Sequence, residues 1–179
     1  MADVERLGGR ELVRTPWLSV REDDIEFADG SRGTYTVVDK RDFAVVVPYT
    51  GAGFWLVQQY RYPLGRRSWE FPQGGWPSGR SGTALELAAT ELAEETGLSA
   101  DSFSHLGRLD ASPGLATNAF DVFLATGLHD GAPQREASEA DMVHAYFSAQ
   151  ELEAMVADGE FRDSNSVAAL GLFWLRMRP

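Results

Sequence analysis

Three glutamates of the chain stand close together at a spacing that could do chemistry. Glu91, Glu94 and Glu95 are separated as i, i+3 and i+4, so that in a helix their side chains share one face. Like charges at this spacing repel each other, and no basic residue between Arg80 and His105 compensates them along the chain. Because hard divalent cations prefer carboxylate oxygens, the cluster indicates a metal site, with a solvated acidic helix face as the alternative.

A helix with both ends marked is expected to carry these carboxylates. Thr83 followed three residues later by Glu86 is a capping-box signature, and Gly97 is typical of the left-handed residue that ends a helix. These signals predict a helix over residues 84–96. Its apolar stripe is expected to comprise Leu85, Ala88, Ala89 and Leu92.

Residues 91–98, with the sequence ELAEETGL, resemble the second half of the Nudix box, a loop-helix motif that binds metal ions. This half agrees with the motif at every defined position. The first half differs, because the positions of its glycine, glutamate and arginine carry Trp76, Gly82 and Thr90. Gly74 or Gly75 could supply the opening glycine if the loop that follows is longer than usual.

The resemblance extends beyond this motif. Three further segments are similar to the ADP-ribose pyrophosphatase branch of the Nudix hydrolases: QYRYP at residues 59–63, WEFP at residues 69–72 and SPG at residues 112–114. The resemblance implies hydrolysis of the pyrophosphate bond in a nucleoside diphosphate linked to a sugar, either ADP-ribose or a nucleotide sugar. The products would be a nucleoside monophosphate and a sugar phosphate, and the implied cofactor is Mg²⁺ or Mn²⁺.

The resemblance also implies which residues bind the metal ions. Glu91, Glu94 and Glu95 would be ligands, with Glu94 also counted among the catalytic residues, and Gln73 would add its backbone carbonyl. In the family, the arginine of the motif orients the neighbouring glutamate, a charge that Thr90 cannot supply. The alternative function is therefore a catalytically weak or inactive Nudix-fold module that binds nucleotides or regulates.

Substrate contacts are expected from five residues implied by the same resemblance: Arg61, Glu70, Ser112, Gly114 and Asn118. Arg61 can clasp a phosphate by two parallel hydrogen bonds, and Glu70 would hold the nucleotide or its ribose. Each has a simpler alternative, since Arg61 could cap the surface of a sheet and Glu70 could be an ordinary carboxylate at a strand end.

The resemblance further implies that the base that activates water comes from the acidic loop at residues 135–141. Glu139 is our first choice and Glu136 the second. The alternative is that this loop is merely solvated.

Composition limits the classes of partner. The chain has 179 residues, a net charge of −11 and no cysteine, which argues against nucleic-acid binding and against disulfides or thiolate metal sites. No apolar run approaches the roughly 18 residues of a membrane span, and the N-terminal segment lacks the apolar core of a secretory signal, so that a cytoplasmic location is expected. The histidines stand singly, at His105, His129 and His144, and are expected to be structural or exposed.

The remaining pattern predicts the elements that position these residues. Alternating residues over 17–38, with a turn at Asp29-Gly30, indicate an N-terminal antiparallel β unit at residues 1–40, which is a possible homodimerisation element. Residues 41–179 are expected to form the Nudix domain. Its strands are predicted at 43–47, 54–60, 68–72, 103–109, 120–125 and 143–147. A helix that begins at a second capping box, Ser148 with Glu151, should run to about residue 158, and a last helix should be capped by Ser164 or Asn165. This order predicts an α+β Nudix fold, a mixed β-sheet sandwiched between helices.

Overall fold

The computed structural model describes residues 3–135 and 140–178. The strands within these ranges are β1 (Val4–Arg14), β2 (Leu18–Phe27), β3 (Arg32–Lys40), β4 (Phe43–Pro48), β5 (Gly53–Arg61), β6 (Arg66–Glu70), β7 (Gln73–Gly74), β8 (Ser99–Asp110), β9 (Ala119–His129) and β10 (Val143–Ser148). The α-helices are α1 (Ala84–Thr96), α2 (Ala149–Ala157) and α3 (Ser164–Met177). None of these helices is long and apolar enough to cross a membrane.

An antiparallel sheet of β1, β2 and β3 forms the N-terminal part of the chain. The pattern over residues 17–38 corresponds to β2 and β3, which confirms the predicted antiparallel β unit. The sequence pattern does not predict β1, because nearly all of its side chains are exposed and its apolar residues do not alternate with polar ones. The register of its pairing with β2 also shifts after Arg6 and after Glu11.

Two further sheets pack with helices on both sides. One has the order β10-β5-β6, and the other has the order β7-β4-β9-β8 with β4 and β9 parallel. Successive side chains of β4 enter opposite cores, because Ala44 and Val46 pack with α1 while Val45 and Val47 pack with α2 and α3. The α+β order of elements therefore gives the predicted sheet between helices.

Helix α1 has the ends that the sequence predicts. Thr83 and Glu86 form a reciprocal capping box, and Gly97 follows the helix in the left-handed conformation. The predicted apolar stripe is wrong at Leu85, which is exposed. The buried face comprises Leu87, Ala88, Glu91, Leu92, Glu95 and Thr96. Two of the three clustered glutamates therefore lie on the side of α1 that packs against the protein.

Helix α3 begins one residue earlier than its predicted caps allow. Asp163 is the N-cap residue, and its carboxylate accepts hydrogen bonds from the backbone N–H and the hydroxyl of Ser166 at 2.9 and 2.7 Å. The Ser166 hydroxyl in turn accepts a hydrogen bond from the backbone N–H of Phe71 at 2.9 Å. The start of α3 is thereby tied to the turn between β6 and β7.

Candidate active site

Two cavities adjoin where the loop after β7 passes over α1. The larger has a volume of about 630 Å³ and is lined by residues of β5, β6 and β7, by the start of α3 and by the segment before β2. The smaller, of about 120 Å³, is lined by Thr90, Glu91 and Glu94 of α1 and by Arg80. Residues 74–77 line both cavities and therefore form their shared wall.

The predicted metal ligands lie on the side of α1 that faces β7. Glu91 and Glu95 are buried, with 9% and 1% exposure, and Glu94 is half-buried. The Glu91 carboxylate comes so close to the backbone of β7 that a Cβ atom on Gly74 would lie 2.5 Å from its nearest oxygen. Glu95 accepts a hydrogen bond from the backbone N–H of Gln73 at 3.2 Å. A side chain at position 74 would therefore displace the Glu91 carboxylate from its position against β7.

The donor set of this site suits a hard divalent cation, since it offers carboxylate oxygens and no sulfur. Within residues 3–135 and 140–178, no group of three or more acidic or histidine side chains is arranged so that it could hold an ion by itself. An ion such as Mg²⁺ usually keeps several waters and takes further oxygens from substrate phosphates. Glu91 and Glu94, which line the same cavity, would thus hold a partly hydrated ion.

A hydrogen-bond network lies in the large cleft. Nε of Arg61 donates to the two carboxylate oxygens of Glu70 at 2.9 and 3.2 Å, and Glu70 is 1% exposed. The Gln73 side chain donates to Glu70 and to Asp163, each at 3.0 Å, and accepts from Asn165 at 3.4 Å. Burial acts to lower the pKa of Arg61, but the hydrogen bonds and charge of Glu70 outweigh it and raise that pKa. Arg61 is therefore held firmly in its charged form.

Three of the predicted substrate-binding residues lie elsewhere. Ser112, Gly114 and Asn118 belong to the connection between β8 and β9, which runs beside β3. The carbonyl of Gly114 accepts a hydrogen bond from the Tyr35 hydroxyl at 3.0 Å, and Asn118 is buried. As far as the structure describes the chain, none of the three lines either cavity. They are therefore not brought together with Arg61 and Glu70.

The two predicted candidates for the water-activating base, Glu139 and Glu136, lie outside the described residues. The preceding residue Arg135 is described. Its Nε donates to the backbone carbonyl of Glu95 at 3.0 Å, at the C-terminal end of α1. The chain therefore enters the acidic segment beside the end of the helix that carries the glutamates.

Sequence reasoning gave no role in the site to several residues that line the cavities, among them Arg80, Asp163 and Asn165. An aspartate just before an apolar helical pattern is a typical N-cap, and this signal could have placed Asp163 at the start of α3. Arg80 carries no such signal, because its position beside the glutamates depends on the path of an irregular loop.

The glutamates of α1 meet a glycine of a neighbouring strand, beside a cleft that contains the ion pair of Arg61 with the buried Glu70. Carboxylates for a cation next to an arginine that suits phosphate oxygens are typical of enzymes that act on phosphorylated small molecules. The comparisons with known families make this class specific. Residues 39–170 match the NUDIX domain, and residues 4–38 match the nucleoside diphosphate sugar hydrolase N-terminal domain. The chain belongs to the Nudix hydrolase family. Enzymes of this family generally need a divalent metal ion.

Individual relatives are similar over nearly the whole chain. The ADP-ribose pyrophosphatase of Mycobacterium tuberculosis is 32% identical over 170 residues, which cover 94% of this chain and 82% of the relative. The ADP compounds hydrolase NudE of Escherichia coli is 25% identical over 171 residues, which cover 92% of this chain and 89% of the relative. A crystal structure of ADP compounds hydrolase matches with a TM-score of 0.83 and 21% identity over 98% of this chain and 96% of that chain. The structural match confirms the predicted α+β Nudix fold.

Proposed function

We propose that this Nudix pyrophosphohydrolase cleaves the pyrophosphate bond of a nucleoside diphosphate sugar, with ADP-ribose as the first compound to test. The products are a nucleoside monophosphate and a sugar phosphate. The observation that carries the proposal is the small cavity of Glu91 and Glu94, which shares a wall with the large cleft. The cleft volume of about 630 Å³ falls within the usual range for small-molecule sites, roughly 300–1,000 Å³. Relatives named for ADP-ribose and ADP compounds support the substrate class.

The metal ion is proposed to be Mg²⁺, or Mn²⁺ in its place, held by Glu91, Glu94 and Glu95 with the backbone carbonyl of Gln73. When bound, such an ion neutralises charge on the transferred phosphoryl group and activates water. The chain itself orients the ligands. Gly74 lets the strand lie against the Glu91 carboxylate, and the N–H of Gln73 holds Glu95. These contacts fix two carboxylates before any ligand arrives.

Arg61 and Glu70 are proposed to act as a pair in substrate binding. Glu70 keeps Arg61 charged and oriented, while 37% of the Arg61 side chain stays exposed toward the cleft and can meet a phosphate oxygen. Ser112, Gly114 and Asn118 stay predicted substrate contacts, although they do not line the described cavities.

Glu139 is proposed as the base that takes a proton from the attacking water, with Glu136 as the second choice. The contact of Arg135 with the carbonyl of Glu95 supports this proposal, because it brings the chain to the glutamate end of α1 just before the acidic segment. Glu139→Gln and Glu136→Gln are the variants that distinguish the two candidates by their rates.

A homodimer through the N-terminal β unit, residues 1–40, is proposed alongside the Nudix domain at residues 41–179. Apolar side chains of β1 that are 43–51% exposed support it: Val4, Leu7, Leu12 and Val13. Light scattering that gives the mass of a single chain at micromolar concentration would contradict the dimer. The cytoplasmic location stays a prediction from composition.

The decisive experiment is turnover of a panel of nucleoside diphosphate sugars, including ADP-ribose, with Mg²⁺ and with Mn²⁺. We expect release of a nucleoside monophosphate, and we expect Glu94→Gln to lower the rate by about 100-fold or more, since a metal ligand supports several kcal/mol of charge stabilisation. Glu153→Gln, which changes an exposed glutamate of α2, is the matched control and should keep the wild-type rate. Absence of turnover with every substrate would refute the proposal.

A second function, nucleotide binding without turnover, is favoured by one observation. The Thr90 hydroxyl donates to the backbone carbonyl of Glu86 at 2.8 Å and so is directed along its own helix, away from a role in orienting Glu91. A binding module of this kind would be stabilised against heat by nucleotides, and this stabilisation would survive Glu94→Gln.

A further inference from the structure

In the loop between β7 and α1, the Trp76 ring packs directly against Gly82. The Trp76 ring lies against the apolar cluster that α1 forms with β4. A Cβ atom on Gly82 would lie 2.7 Å from Cζ2 of that ring and 2.9 Å from Oε2 of Glu86. Gly82 is therefore required by space, because the indole occupies the volume that any larger side chain at this position would need.

Trp76 in turn supports an arginine. The guanidinium carbon of Arg80 lies 5.1 Å from the centroid of the Trp76 ring, which is the distance of a cation–π contact. Arg80 also lines the small cavity together with Glu91 and Glu94, and it is the one basic residue that does so within the described ranges. The loop thus places a positive charge at the wall of the carboxylate cavity.

The side chain of Arg80 is not committed to a carboxylate. Over residues 3–135 and 140–178, no hydrogen bond or ion pair of its guanidinium is formed, although two glutamates line the same cavity. A guanidinium that stacks on an aromatic face keeps its N–H groups directed outward, in the plane that matches phosphate oxygens. The stacked arrangement therefore restrains Arg80 and still leaves its donors available to a ligand.

We propose that Arg80, supported by Trp76, binds a phosphate oxygen of the substrate at the small cavity. This inference rests on the proposed function, since it assumes that the pyrophosphate lies where Glu91 and Glu94 hold the metal ion. The ligand is an anion of the diphosphate class, recognised by charge and by planar hydrogen bonding. Arg61 lines the large cleft and Arg80 the small cavity, and residues 74–77 line both, so that a diphosphate bound across these shared residues would contact both arginines.

A merely structural role for Arg80 would have a different signature. If Arg80 served to orient Glu91 or Glu94, its loss would weaken metal binding even without a phosphate ligand. If it binds phosphate, its loss would not weaken metal binding in the absence of phosphate, and the removal of a positive charge beside the carboxylates would strengthen it. The two roles can therefore be separated by measuring Mn²⁺ alone and inorganic pyrophosphate with Mg²⁺.

The test uses the full chain as wild type, Arg80→Ala, Arg80→Lys, Trp76→Phe and Arg176→Ala. Arg176 is exposed at the end of α3 and lines neither cavity, so its variant controls for the loss of one positive charge. Titration calorimetry with inorganic pyrophosphate and saturating Mg²⁺ gives the dissociation constant. Electron paramagnetic resonance of free Mn²⁺ gives metal affinity without phosphate, and turnover of ADP-ribose is measured separately.

We expect Arg80→Ala to weaken pyrophosphate binding by about tenfold or more, as loss of a hydrogen bond to a charged group does. Arg80→Lys should be intermediate, Trp76→Phe should stay within about threefold of wild type because it keeps an aromatic face, and Arg176→Ala should equal wild type. Mn²⁺ binding should not be weaker than wild type in any of the four variants, and it should be equal or tighter in Arg80→Ala. The inference would be overturned if Arg80→Ala bound pyrophosphate as wild type does, or if Arg176→Ala lost as much affinity as Arg80→Ala. It would also be overturned if Arg80→Ala bound Mn²⁺ more weakly, or if the wild-type protein did not bind pyrophosphate. Arg80-dependent pyrophosphate binding without any turnover would instead refute the proposed hydrolysis and leave this site as a binding site.

Discussion

Two arginines line the two adjoining cavities, and they are held in different ways. Arg61 is paired with the buried carboxylate of Glu70, inside a network that includes Gln73. Arg80 rests on the ring of Trp76 and lines the cavity of the glutamates. Arg61 is thus positioned by an ion pair with a buried carboxylate, and Arg80 is positioned by a cation–π contact with an aromatic ring. Glu70 already uses Nε and one terminal nitrogen of Arg61, so that fewer donors remain there for a ligand, whereas the stacked Arg80 keeps its donors free.

The largest expected difference between the two arginines is in their contribution to the stability of the protein. Glu70→Ala should lower the free energy of unfolding by about 3 kcal/mol, because it leaves the partly buried Arg61 charge without its main partner. Arg80→Ala should lower it by less than about 1 kcal/mol, the usual worth of an exposed cation–π contact. Urea denaturation measures both, with Glu153→Ala as the control for an exposed glutamate. Equal losses for the two variants would mean that the arginines do not differ in this way.

A smaller effect on stability is expected at Gly82, because the Trp76 ring that supports Arg80 occupies the space beside this glycine. Gly82→Ala should displace the Trp76 ring, lower the free energy of unfolding by about 1–2 kcal/mol and weaken pyrophosphate binding toward that of Arg80→Ala. Gly171→Ala is the matched control, because a Cβ atom there meets nothing within 4 Å and a helical alanine should stabilise α3 by roughly 0.5–1 kcal/mol. Wild-type binding by Gly82→Ala would show that the position of the indole does not govern Arg80.

A third arginine, Arg135, contacts a histidine and is therefore expected to make the stability of the protein depend on pH. Arg135 donates to the carbonyl of Glu95 at 3.0 Å and forms a 2.8 Å hydrogen bond with Nδ1 of His144. Burial, and then the charge of Arg135, lowers the pKa of His144 below its ordinary value of 6.5. The folded protein therefore binds fewer protons at this ring than the unfolded chain does, so that this contribution to stability is complete above pH 6.5 and is lost as the pH falls through the folded pKa.

Thermal unfolding between pH 7.5 and pH 5 measures this contribution. His144→Gln keeps an acceptor for Arg135 but does not titrate, and it should remove part of the loss of stability on acidification. Identical pH profiles for His144→Gln and wild type would contradict the prediction.

The fold could be predicted where the signals are local. The capping boxes that begin at Thr83 and Ser148 both form as expected, because each is decided by residues three apart. The prediction fails at Leu85 and at β1, where burial depends on which other element packs against the residue. Such partners are distant in sequence, and apolar spacing alone does not identify them.

In the candidate site, too, the sequence predicts the residues that are related by local spacing and does not predict those that are brought together from distant parts of the chain. The grouping of Glu91 with Glu94 follows from helical spacing, and a motif drew attention to Arg61. The contact between Gln73 and Asp163 spans 90 residues and exists only because α3 docks beside β7. The position of Arg80 depends on a loop without periodicity, so no pattern in the sequence predicts that it lies beside the glutamates.

The loop at residues 75–82 is fixed at both ends. Strand β7 pairs with β4 through Ala44 with Gly74 and Val45 with Gln73, and the capping box of Thr83 starts α1. Because the ends of the loop are set by these separate contacts, its length can change without moving the strand relative to the helix, and closing a slightly longer loop costs little entropy. An insertion within residues 77–81 would therefore move Arg80 while the strand, the helix and the carboxylates keep their positions.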